Sequence, residues 1–118
     1  MWLFTRYGFY SVACANKPDG SLDKETVMLR ARREEHLQNL CGRFPAISDS
    51  EVVTMANRDY RYRLILPKQV WVPILGELAE EQDWSNFKNE AAAYLGKSGA
   101  SYLRALHDVW EIMFRMQS

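Results

Sequence analysis

A chain of 118 residues with 15 basic and 15 acidic side chains has the length of one domain and no net charge. That balance removes the electrostatic reason to expect bulk binding to duplex nucleic acid or to an anionic membrane surface. An apolar fraction of 47% is enough to bury a core, which excludes disorder, and no apolar run approaches the roughly 18 residues of a membrane span.

Met1-Trp2-Leu3-Phe4 is apolar, but Thr5 and Arg6 interrupt it before it can serve as a secretory signal. Cys14 and Cys41 stand 27 positions apart with no CxxC spacing, so reduced, packed thiols in a cytoplasmic protein are expected. Phe9, Ser11 and Ala13 alternate with Tyr10, Val12 and Cys14, the rhythm of a strand. Asn16-Lys17-Pro18-Asp19-Gly20-Ser21 reads as a hairpin loop, and Val27 to Arg33 alternates again as the antiparallel partner.

Glu34 to about Arg43 has helical spacing at Leu37, Leu40, Cys41 and Phe44, acids in its first turn, and Pro45 to end it. Glu51 to Met55 is a short strand candidate, Asn57-Arg58-Asp59 a turn, and Tyr60 to Leu66 a further strand. Pro67 opens the helical half, with a stripe at Val70, Trp71, Ile74, Leu75 and Leu78 that Pro73 interrupts. Asp83 or Ser85 caps a shorter helix through Phe87, Ala91, Tyr94 and Leu95, which Gly96 stops. Ser98 then caps a last helix, striped by Tyr102, Leu103, Leu106, Val109, Trp110, Met113 and Phe114. The expectation is a single α+β domain over residues 1–118: an antiparallel four-stranded sheet with helices on one face, ferredoxin-like, and a helical C-terminal half.

Arginine dominates the basic residues before Pro67: Arg6, Arg30, Arg32, Arg33, Arg43, Arg58, Arg61 and Arg63. Alternation puts Arg30 with Arg32, and Arg61 with Arg63, on one face of their strands, with Tyr60 and Tyr62 facing the other way. Two readings stay open for these four arginines. They form a ligand site for phosphate or carboxylate, or they are solvated residues paired with Glu51, Asp59 or the helix acids. An open sheet face also suits single-stranded nucleic acid, although no RNP1-like stretch is present.

His36 and His107 lie outside any HExxH spacing and lack a third ligand, so neither a metal nor a cofactor is expected. No GxSxG, P-loop, GxGxxG or paired-carboxylate signature occurs, and Gly96-Lys97-Ser98-Gly99 reads as a turn between helices. Asp83-Trp84-Ser85-Asn86-Phe87-Lys88 sets two aromatics among polar residues, which makes Trp84 and Phe87 candidates for a partner-binding knob or for core anchors. Four tryptophans in so short a chain imply some exposed apolar surface.

The start Met1-Trp2-Leu3-Phe4-Thr5 and Gly8-Phe9-Tyr10-Ser11-Val12 resembles that of a group of small uncharacterised bacterial proteins. Leu29-Arg30-Ala31-Arg32, Asp59-Tyr60-Arg61-Tyr62-Arg63, the segment at Trp84 and the terminal His107-Asp108-Val109-Trp110 extend the resemblance along the chain. It implies no catalytic or binding residue. The residues themselves favour a non-enzymatic module for a protein partner or a second copy of the chain. Nucleic-acid or nucleotide binding on the arginine face is the alternative, and a small enzyme using His107 or Tyr62 beside an arginine is a third reading.

Overall fold

The two-residue alternation of the first half becomes a five-stranded sheet in the structure, a computed structural model that describes residues 1–117. The strands are β1 (Trp2–Thr5), β2 (Gly8–Asn16), β3 (Leu22–Ala31), β4 (Val53–Thr54) and β5 (Tyr62–Pro67), in the order β1-β2-β3-β5-β4. β3 pairs antiparallel with both β2 and β5, and β4 pairs antiparallel with β5. The helices are α1 (Glu34–Arg43), α2 (Lys68–Glu80), α3 (Phe87–Leu95) and α4 (Ala100–Phe114).

The class is therefore α+β with an antiparallel sheet, as expected, but the sheet has one more strand than the four anticipated. The additional strand is β1, four residues long and too short to display a period. Its position is fixed by Met1, whose amino group and carbonyl exchange 2.8 Å hydrogen bonds with the backbone of Val12. A ferredoxin-like chain needs a helical crossover after its first strand. Here β1, β2 and β3 are joined by short turns, at Arg6-Tyr7 and at residues 17–21, and the first helix comes only after β3.

Where length suggests one domain, the contacts divide the chain into two units. The first comprises residues 1–4 and 8–82, and the second comprises Thr5–Tyr7 with the chain from Asp83 onward. In the first unit β3 is central. Val27, Leu29 and Ala31 are buried on one face, with Val12 opposite Leu29 on one side and Leu64 opposite it on the other. Leu37 and Leu40 of α1, with Trp71, Ile74 and Leu78 of α2, complete this core. Burying each such side chain contributes about 1.5–3 kcal/mol.

Helix α1 has Glu34 and Glu35 in its first turn and Arg43 in its last, the charge order that its dipole favours. Helix α2 begins directly after Pro67 and keeps Pro73 inside it, which removes one donor from its interior. In the second unit α3 is capped by Asn86, whose side chain accepts the Asn89 N–H at 2.9 Å, rather than by Asp83 or Ser85. Ser98 does not cap α4. Its hydroxyl donates to Leu95 O at 2.8 Å, and a 3₁₀ turn over Gly96–Gly99 joins α3 to α4. The Tyr102 hydroxyl donates to Thr5 O at 2.7 Å, and burial pushes its ionisation far above the ordinary tyrosine range.

Two glycines of the first unit test this account in opposite directions. Gly8 has φ +151°, and a β-carbon there would collide with the His36 side chain, so Gly8→Ala should destabilise strongly. Gly76 sits inside α2 with open space around it, so Gly76→Ala should stabilise by about 0.5–1 kcal/mol. Leu29→Ala should cost about 2–5 kcal/mol. Urea unfolding of the three variants against the wild type checks all of them.

Candidate functional site

Because Leu29 points into the helix-covered core, the pleat of β3 sends Met28 and Arg30 to the other face of the sheet. The register then builds a row across four strands: Ser11 opposite Arg30, Arg30 opposite Arg63, and Arg63 opposite Val53. A neighbouring row runs Ala13, Met28, Ile65. Both helices of the first unit pack on the opposite face, and on this one Trp2, Val53 and Ile65 are exposed.

Aromatic rings flank the arginines. Phe4 stacks on Phe9 with centroids 4.6 Å apart, and Trp2 meets Phe9 edge-on at 6.0 Å. Phe9 in turn lies 6.4 Å from Tyr60. The guanidinium of Arg32 sits 4.4 Å from the Tyr60 centroid and that of Arg30 sits 5.1 Å from it. A chain of π-surface thus runs from the β1 edge to the arginines at the centre of the sheet.

The expectation that Tyr60 faces away from the arginines is overturned. Parity along a strand holds only inside it, and β5 begins at Tyr62, so Tyr60 lies in the preceding bend with its ring turned under Arg30 and Arg32. Tyr62 does follow parity, since it stands opposite buried Ala31. Arg61 is exposed, and among the described residues no side-chain bond or ring contact ties it to the cluster. Three of the four predicted arginines are brought together, with four aromatics that the sequence reading did not assign to the site.

Among the described residues, none of the acids expected to neutralise these arginines forms an ion pair with one, and Glu51 is exposed. Asp59 uses its carboxylate on the Tyr60 N–H at 2.9 Å and offers only its carbonyl to Arg32, also at 2.9 Å. Glu90 pairs with Arg6, Glu35 with Arg33, and Glu81 and Glu77 with Arg43. Among the described residues Arg30, Arg32 and Arg63 have no carboxylate within ion-pair distance. Burial, then the neighbouring charges of Arg30 and Arg58, push the Arg63 ionisation down from its ordinary value, against a smaller pull from Asp59.

Trp84 and Phe87 lie in the second unit, both half-buried. The Trp84 ring faces the Arg6 guanidinium at 5.2 Å, in a cage that Tyr7 and Tyr94 complete at 5.4 Å each and Glu90 closes at 2.7 Å. Apart from Tyr94 on α3, the large exposed apolar side chains of this unit stand on and just after the last turns of α4: Trp110, Ile112, Met113, Phe114 and Met116. His107 stacks on Trp110 and Trp110 on Phe114, with Lys88 over the Trp110 ring at 5.1 Å.

Both cysteines are free and half-buried, and burial raises the Cys41 thiol ionisation. No three described His, Cys, Asp or Glu side chains are grouped to hold a metal, and no described helix is long and apolar enough to cross a membrane. A groove of about 340 Å³ in the first unit, lined by Phe44, Pro45, Val70, Pro73 and Ile74, carries Glu77 as its one titratable group. No protein-family model matches the chain, and no curated protein or solved structure matches it either.

One buried titratable group is tied to the edge of the aromatic platform. His36 accepts the Phe9 N–H through Nδ1 at 3.3 Å, and its carbonyl accepts the Tyr10 hydroxyl. Burial holds its ionisation below the ordinary histidine value, Glu35 opposes that shift, and Arg33 adds to it. The folded state therefore binds this proton less readily than the unfolded chain. Stability should be full above the unfolded value of about 6.5 and fall as pH drops below it. Denaturant titrations between about pH 7 and 5.5 should show that slope in the wild type and lose it in His36→Gln, whose amide can still accept from Phe9.

Proposed function

We propose that the chain is a non-enzymatic cytoplasmic protein that binds single-stranded nucleic acid on the exposed sheet face of its first unit. The carrying observation is the row in which Arg30 and Arg63 stand directly opposite one another with no carboxylate between them. Like charges opposed across strands are unfavourable in a sheet, and a phosphate relieves that repulsion. The rings beside the row supply what a simple anion does not need. Base-on-aromatic stacking contributes about 1–3 kcal/mol per base and tolerates any base. Duplex is disfavoured because its bases are already stacked, and zero net charge gives no general attraction to it.

The exposed apolar end of α4 favours a second reading, a second copy of the chain docked there. Sedimentation at increasing protein concentration tests it, and a species that stays monomeric removes it.

For the nucleic-acid reading, fluorescence anisotropy with labelled single strands is the direct test. Arg30 and Arg63 neutralising two phosphates predict that log affinity falls with log salt with a slope of about −1.4. Arg30→Ala should lower that slope by about 0.7, and Trp2→Ala should weaken binding without changing it. Absent binding, or binding indifferent to salt, sinks the proposal.

A further inference from the structure

The three clustered arginines do not have the same bonds left to make. A guanidinium has five N–H donors in a fixed plane. Arg30 places Nη2 on Ser11 Oγ at 2.9 Å and Nε near Ser11 O at 3.5 Å. Arg32 is held flat, with its plane against Tyr60 and Nη1 on Asp59 O at 2.9 Å. Arg63 donates once to a good acceptor, from Nη2 to Tyr60 O at 3.2 Å, while its Nη1 meets only the thioether of Met28 at 3.9 Å. Its Nε is buried with no hydrogen-bond partner among the described residues. Buried donors are nearly always satisfied, and a thioether is a weak acceptor. Arg63 thus keeps a buried donor unsatisfied and spends Nη1 on a weak acceptor, beside the charges of Arg30 and Arg58.

Resting on the single-strand reading above, we propose that Arg63 grips one backbone phosphate through the terminal Nη1–Nη2 edge of its guanidinium, while Arg32, laid on Tyr60, offers its outer face to a base. Two non-bridging phosphate oxygens match the spacing of the guanidinium fork. One of them replaces the Met28 sulfur at Nη1 and the other takes a second N–H of Nη2, whose first stays on Tyr60 O, while Nε remains buried. Arg30, committed to Ser11, adds charge rather than a fork. The grip reads the backbone and not the base edge, so strands of different composition bind alike.

The test measures anisotropy of a labelled single strand of about eight nucleotides with the full chain, and thermal unfolding of every variant. Arg63→Ala and Arg63→Lys should each weaken binding about tenfold, because lysine keeps the charge and lacks the planar fork. Arg61→Ala makes the same charge change at an exposed arginine outside the cluster and should cost about twofold or less. Arg63→Lys binding like the wild type, or Arg61→Ala as damaging as Arg63→Ala, overturns the assignment and leaves the single-strand reading standing. A wild type that captures no strand, or whose strand polyglutamate displaces as well as unlabelled strand does, overturns that reading and the assignment together. If Arg63→Ala unfolds, Arg63→Lys still decides.

Discussion

Val12, Leu29 and Leu64 stand side by side across β2, β3 and β5, all three buried against α1 and α2. Everything on the other face follows from that row. Side chains alternate strictly along a strand, so a register shift of one residue would exchange the two faces completely. Three buried aliphatic side chains contribute several kcal/mol at about 1.5–3 each. A like-charge pair opposed across strands costs only about 0.2–1 kcal/mol. The hydrophobic row wins by magnitude, and Arg30 is carried opposite Arg63 whether or not that arrangement is comfortable.

The discomfort is eased by π-surface rather than by acids. Tyr60 lies under two guanidinium groups, each contact worth about 0.5–1 kcal/mol where water reaches it and more where it does not. A carboxylate in the same place would have cancelled the charge. A ring stabilises the cations and leaves their positive potential facing outward. The same economy appears in the second unit with the opposite result, since there Arg6 is enclosed by three rings and also paired to Glu90, which leaves no charge to offer. Comparable chemistry is closed in one unit and open in the other.

How much of this could be read from the sequence depended on whether a residue sat inside a regular element. Arg30 and Arg63 lie within β3 and β5, and the two-residue period set each on one face of its own strand, while the register between the strands brought them opposite one another. Tyr60 lies two residues before β5, where no period applies, so parity assigned it to the wrong side. The strand β1 was missed because its four residues hold only two repeats, and its pairing depends on Val12, a partner no local pattern names. The ferredoxin-like expectation failed for a related reason. Composition fixes layers, and connectivity depends on turns as short as Arg6-Tyr7. The cap of α3 is Asn86 rather than the expected Asp83 or Ser85, because all three are good N-caps and only the bond from Asn89 chooses among them.

The platform is held from below as much as from the side. Gly8 has no β-carbon, which lets the His36 ring lie against the backbone of β2, and there Nδ1 accepts the N–H of Phe9. At the other end of the ring chain, the carbonyls of Asp59 and Tyr60 accept from Arg32 and Arg63. The two aromatics nearest the arginines are therefore fixed through their main chain, one by a helix residue of the core and the other by the arginines themselves. A surface already ordered in this way gives up little side-chain freedom when something settles on it, and that loss is a main cost of association. The bond from Arg63 to Tyr60 does both jobs at once: it holds the bend that carries the ring, and it sets the plane in which the remaining donors of Arg63 point.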